Sequence, residues 1–136
     1  MMLDQTLLKF LQISVSLFSA ILFLQSGLDK VFDFKGNRDY IKSVFAKTFL
    51  NPVSLLLFIT ILVLEVAAGL CSLVGAYLYY DQGMKDFAII GLELSVISIL
   101  SLFLGQRIAK DYAGAASLVG YFLLMVFGLY LYSLHA

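Results

Sequence analysis

The sequence predicts an all-α membrane protein: a bundle of four transmembrane helices, with a short amphipathic interfacial helix between the first two spans. Three observations lead there. Of 136 residues, 62% are hydrophobic and 13% charged, with a mean hydropathy of +0.98, against roughly 45–50% apolar and about 25% charged in a soluble domain. A globule this small cannot cover so much apolar side chain, so lipid must solvate much of the surface. Cutting the chain at its charges leaves four segments that reach or nearly reach the roughly 20 residues a helix needs to cross the hydrocarbon. Runs such as SLLLFITILVL lack the alternation of a barrel strand. The formal net charge of zero supplies no basic excess for nucleic acid. A single domain, 1–136, is expected.

The first span, about 7–28, contains the uncharged run Phe10 to Leu28. It ends in SGLDK, not a small-x-small cleavage site, so it reads as a membrane helix and not as a signal peptide. Gln12, Ser16, Ser19 and Ser26 share one side of it as interhelical hydrogen-bonding groups. In the connection to Asn51, Gly36 and Asn37 should break the chain. Tyr40, Ile41, Val44, Phe45 and Phe49 then recur at helical spacing against Arg38, Lys42 and Lys47. This predicts an interfacial helix over about 38–49, capped by Asn37, with a lid or partner-docking surface as its functional alternative. Pro52 suits the first turn of the second span, about 53–80. The third and fourth spans, about 87–106 and 112–134, complete the bundle.

Small residues indicate which faces meet. Gly27 in the first span, Ala68, Gly69, Ser72 and Ala76 in the second, and Ala113, Ala116, Ser117, Gly120 and Gly128 in the fourth should permit close helix approach and face protein. The first and third connections hold seven Lys and Arg, the opposite side only Lys9 and Lys85. This places the basic loops in the cytoplasm and both termini outside. Tyr77, Tyr79, Tyr80, Tyr130 and Tyr132 are then expected as an outer aromatic belt. The expected location is a bacterial cytoplasmic membrane.

Few residues can carry chemistry. One cysteine, Cys71, precludes an internal disulfide, a CxxC pair or an iron–sulfur cluster, and the single histidine, His135, lacks a second imidazole for haem or a cluster for zinc. No metal or intrinsic cofactor is expected. Glu65 falls near the middle of the second span on its small-residue face. With no Lys or Arg placed at its depth, it is expected as a neutral hydrogen-bond donor inside the bundle, either at a ligand or proton site or in a structural interhelical bond. Glu93 lies about 9 Å inside the third span by helical rise and should reach headgroups or water. Arg107, Lys110 and Asp111, like Asp29 and Lys30, mark helix ends where snorkelling and ion pairing are expected.

SGLDKVFDF from Ser26 to Phe34, LEVAAGLCSLVG from Leu64 to Gly75 and GQRIAKDYAGAASLVGYFLL from Gly105 to Leu124 resemble, in order and spacing, the successive signatures of the DoxX family. These are a Gly-x-x-Lys closing the first span, a Glu followed by small residues in the second, and a basic-acidic loop before a small-residue fourth span. Related proteins are linked to the membrane subunit of thiosulfate:quinone oxidoreductase and to redox assemblies with soluble partners. The resemblance implies a quinone-linked or redox-associated subunit, not catalytic alone, with Gly27, Lys30, Glu65, Gly69, Arg107 and Asp111 as candidate functional positions. The paired cysteines of the family's thiol-handling branch are absent here. Three functions follow: a redox-complex subunit holding quinone beside Glu65 and Arg107, with Lys30 as a second donor and Asp111 orienting them; a non-catalytic accessory subunit packed against a larger membrane complex; and a small carrier using Glu65 for proton coupling. The carrier is the weakest, since the four spans show no internal repeat.

Overall fold

The computed structural model describes residues 4–134; His135 lies outside them. The described residues form helices and no strand. α1 runs Gln5–Phe32, α2 Phe34–Val44, a 3₁₀ turn Asn51–Val53, α3 Ser54–Gln82, α4 Asp86–Ile108, α5 Tyr112–Ser117 and α6 Val119–Ser133. α1, the 3₁₀ turn with α3, α4, and α5 with α6 make four segments long and apolar enough to cross a membrane.

Local chemistry sets the boundaries. Asp4 caps α1 by accepting from the Thr6 N–H at 2.9 Å, the usual task of an N-cap carboxylate. α1 continues to Phe32, past the expected end at 28. Asp33 then stops it and starts α2, since its N–H still bonds the Asp29 carbonyl while its carboxylate accepts from the Gly36 N–H. The break expected at Gly36 and Asn37 therefore falls at Asp33, and the amphipathic helix begins at Phe34. Asn37 lies inside α2, donating to the Asp33 carbonyl at 2.9 Å. α2 also ends at Val44, before the expected 49, and Thr48 holds the following turn by donating to the Phe45 carbonyl. At the opposite end Gly83 adopts φ +69° and bonds back to Tyr79, closing α3 as a left-handed glycine cap. The fourth span is interrupted at Leu118, between α5 and α6.

α3 is the central element, packed most extensively on α1 and α4. Glycine backbones make the contacts. A Cβ on Gly75 would stand 2.2 Å from the Ala88 nitrogen, one on Gly91 2.6 Å from the Ser72 nitrogen, and one on Gly69 2.7 Å from the Leu24 nitrogen. The expected packing role holds for Gly27, Ala68, Gly69, Ser72 and Ala76, all buried. Within the described bundle, much of the fourth span's stripe makes no such contact. Ala113, Ala116, Ser117 and Gly120 are exposed, and nothing lies within 4 Å of a Cβ built on Gly120. The buried face there carries Ala115, Leu118, Met125, Gly128, Leu131 and Tyr132, because α6 meets its neighbours through larger apolar side chains, and only Gly128 is pressed flat, against Val15 and Leu92.

The polar side of α1 works as its spacing implies. Gln12 donates to the Leu131 carbonyl at 2.8 Å and accepts from the Tyr79 hydroxyl, Ser16 bonds the Tyr132 hydroxyl at 2.6 Å, and Ser19 joins Ser95 and Ser72. Tyr79 and Tyr132 are therefore buried inside the bundle and cannot join an aromatic belt, while Tyr77, Tyr80 and Tyr130 are exposed. Their hydroxyls find partners on α1, and a phenol can lie inside when its O–H is satisfied.

Candidate functional site

The site begins with an offset between two helices. Gly27 faces Val66 and Leu24 faces Gly69, so antiparallel α1 and α3 place Phe32 level with Ile61, about 10 Å short of where α3 starts by helical rise. α1 is thus recessed at the basic end of the bundle. The space beneath it is covered by α2 and the Phe45–Leu50 turns.

Lys30 stands in the last turn of α1. Its Nζ donates to Ser26 Oγ at 2.9 Å and lies 3.0 Å from Glu65 Oε1, with side-chain exposures of 15% for Lys30 and 1% for Glu65. This corrects the expectation of an unpaired carboxyl. That expectation set both helix ends at one depth, whereas the recess brings Lys30 close to Glu65 and its flexible stem spans the rest. Gly27 makes the approach possible, since a Cβ there would stand 2.8 Å from Val66 Cγ2. The contact is close in distance but outside hydrogen-bond geometry, so among the described residues Glu65 Oε1 has an ion-pair neighbour but no hydrogen-bond partner.

Lys30 also lines a cavity of about 540 Å³ between α2, α3 and α4. The walls are mostly apolar, with Phe45, Phe49, Leu57, Phe58, Ile61 and Leu102 among them. Phe34 packs edge-on to Phe58 at 5.0 Å between ring centres. The polar groups converge from separate elements: Lys30 from α1, Asn37 and Tyr40 from α2, Gln106 from α4 and Asp111 from the loop before α5. Asn37 is spent on Asp29 and Asp33, and Asp111 caps α5 by accepting from the Gly114 N–H at 3.0 Å. Among the described residues, Gln106 Oε1 is buried without a hydrogen-bond partner, a costly state that a ligand donor would relieve.

Of the four residues expected at a ligand site, three converge here: Lys30 and Asp111 on the cavity, and Glu65 behind Lys30. Arg107 does not. Its guanidinium stacks on the Tyr112 ring at 4.5 Å and is absent from the cavity wall. Arg107 and Gln106 are adjacent on α4, and adjacent helical positions point about 100° apart. Glu93 is exposed and forms no ion pair among the described residues. No group of three or more His, Cys, Asp or Glu side chains could hold a metal among the described residues. No family model, curated protein or solved structure matches the chain.

The residue that sequence reasoning missed is Gln106. It sits in the GQR run beside a more conspicuous arginine, and its only signal was a neutral amide at a helix end. Phe45, expected on the apolar face of the interfacial helix, instead follows its end and is buried against Gly105, where a Cβ would meet its ring at 3.1 Å.

Proposed function

We propose that this chain is a DoxX-like membrane subunit of a quinone-linked or redox-associated complex, holding the quinone ring in the cavity at its basic end while a partner supplies the redox centre. One observation carries the reading. A largely apolar cavity of about 540 Å³ meets a cation, Lys30, and an unsatisfied amide, Gln106, which matches the usual binding-pocket design of apolar walls with a few placed polar groups. Lys30 would donate to a ring oxygen. Glu65 and Ser26 act through it, as positioning residues that hold the ammonium at the cavity wall. The chain has too few cysteines for an iron–sulfur cluster, consistent with a subunit that is not catalytic alone. The excess of Lys and Arg in the basic loops supports placing that end in the cytoplasm of a bacterial membrane, with both termini outside.

A second reading, a non-catalytic accessory subunit, is favoured by the exposed stripe Ala113, Ala116, Ser117 and Gly120, a surface that lets another helix approach closely. The two separate on isolation from the native membrane in mild detergent. Bound quinone with a dehydrogenase or sulfur-enzyme partner supports the first reading. A larger complex already complete in cofactors, with no quinone on this subunit, supports the second.

A further inference from the structure

A second cavity lies on the other face of α2. Tyr40, Ile41 and Val44 look into the space described above, while Arg38, Asp39 and Lys42 border a separate open cavity of about 480 Å³, lined on its other side by Asn51, Pro52, Ser54 and Leu55 where α3 begins. We infer that this is a binding site for a phosphate group.

The beginning of α3 is electrostatically prepared for an anion. α3 has 29 residues and no side chain caps its start. A helix N-terminus carries partial positive charge, and at α3 that charge remains although the Asn51 carbonyl of the preceding 3₁₀ turn accepts from the Ser54 N–H. The independent observation is Ser54. It is only 6% exposed, it lines the cavity, and its hydroxyl makes no hydrogen bond among the described residues. The hydroxyls of Ser14, Ser95, Ser98 and Ser101 each donate to the carbonyl one turn earlier; Ser54 does not. The hydroxyl oxygen opens onto the cavity, where a phosphate oxygen would accept from it.

The charged groups agree. Arg38 uses Nε and one terminal nitrogen on Asp39 Oδ1, both at 3.2 Å, and its other terminal nitrogen makes no hydrogen bond among the described residues. Lys42 forms no ion pair among the described residues. Two cations against one carboxylate leave a net positive rim. A guanidinium, an ammonium, a hydroxyl and a helix N-terminus together suit a tetrahedral anion with several acceptor oxygens. Such a phosphate could arrive free in solution or on a lipid headgroup, since the site lies where α2 meets the basic end of the bundle.

The test uses the full chain in a neutral detergent and follows thermal unfolding. One arm adds inorganic phosphate against chloride at equal ionic strength. The other adds phosphatidylglycerol or phosphatidylcholine to the micelles. A saturable rise in Tm with at least one phosphate probe is expected. Inorganic phosphate alone would indicate a soluble ligand, and phosphatidylglycerol alone a headgroup. Arg38→Gln/Lys42→Gln should abolish the rise, Ser54→Ala should weaken half-saturation by roughly tenfold, and Lys35→Gln, equal in charge removed but outside the cavity, should leave it unchanged. Absence of a saturable shift with either probe, or an undiminished shift in both the double variant and Ser54→Ala, overturns the site.

Discussion

The ammonium of Lys30 stands 3.0 Å from the carboxylate of Glu65, and this pair joins the recessed end of α1 to the interior of α3. Its geometry depends on Gly27 lying flat against Val66. The sequence placed these charges at different depths; the helix offset brings them together.

Removing one partner should be worse than removing both. Lys30→Met strands a buried carboxylate and Glu65→Leu strands a largely buried ammonium, each costing about 3–5 kcal/mol by analogy with other buried pairs. Lys30→Met/Glu65→Leu should recover much of that loss. Thermal unfolding of the three variants in detergent measures the coupling, and additive losses would mean that the two charges do not interact.

The glycines divide into two groups. Gly75→Ala drives a methyl into the backbone of Ala88 and should destabilise the bundle by about 1–3 kcal/mol. Gly120→Ala meets open space and should be neutral or stabilising by up to about 1 kcal/mol, the helix-propensity gain over glycine. Equal damage from both substitutions would put Gly120 in an interface after all.

How far the sequence could be read follows from what each signal depends on. Hydropathy and charge spacing depend on the lipid solvent alone, and all four spans appear where those signals put them. Helix boundaries depend on single side chains, so Asp33 could displace Asn37 as the cap of α2. Facing is harder still. Small residues in the fourth span say that close approach is possible, but the facing is decided by larger groups such as Met125 and Tyr132. The cavity residues Lys30 and Asp111 were visible as charges at helix ends, whereas Gln106 became meaningful only once the cavity around it was known.

The buried polar cluster on α1 should matter more than any single serine. Gln12→Leu removes one donor and one acceptor and leaves the Tyr79 hydroxyl without its partner. Interhelical hydrogen bonds in membrane proteins average about 0.6 kcal/mol each, and a stranded buried hydroxyl adds about 1–3 kcal/mol. A loss of about 2–4 kcal/mol on unfolding is expected, against about 1 kcal/mol or less for Ser14→Ala, whose hydroxyl bonds only its own helix. Equal losses would remove the cluster as an organising feature.

Topology can be read by labelling. Cysteines placed at Lys42 and Gly83 in a Cys71→Ser background should react from opposite sides of intact cells, with Gly83 accessible to an impermeant reagent and Lys42 protected. The reverse pattern would invert the bundle while keeping its four spans.

Arg107 offers a control within the same helix end. Stacked on Tyr112, it should contribute about 0.5–1 kcal/mol to stability, and Arg107→Ala should leave quinone affinity unchanged. A large loss of quinone binding on this substitution would return Arg107 to the site.

The most direct measurement is equilibrium binding of a short-chain quinone to the purified chain, compared across wild type, Lys30→Met, Gln106→Leu and Ile61→Phe, with folding checked in each. Wild type should bind one equivalent. Lys30→Met and Gln106→Leu should each weaken binding by roughly tenfold, the equivalent of about 1.4 kcal/mol, and Ile61→Phe should weaken it by narrowing the cavity. Absent binding in the wild type, or affinity indifferent to all three substitutions, would contradict the quinone-subunit account.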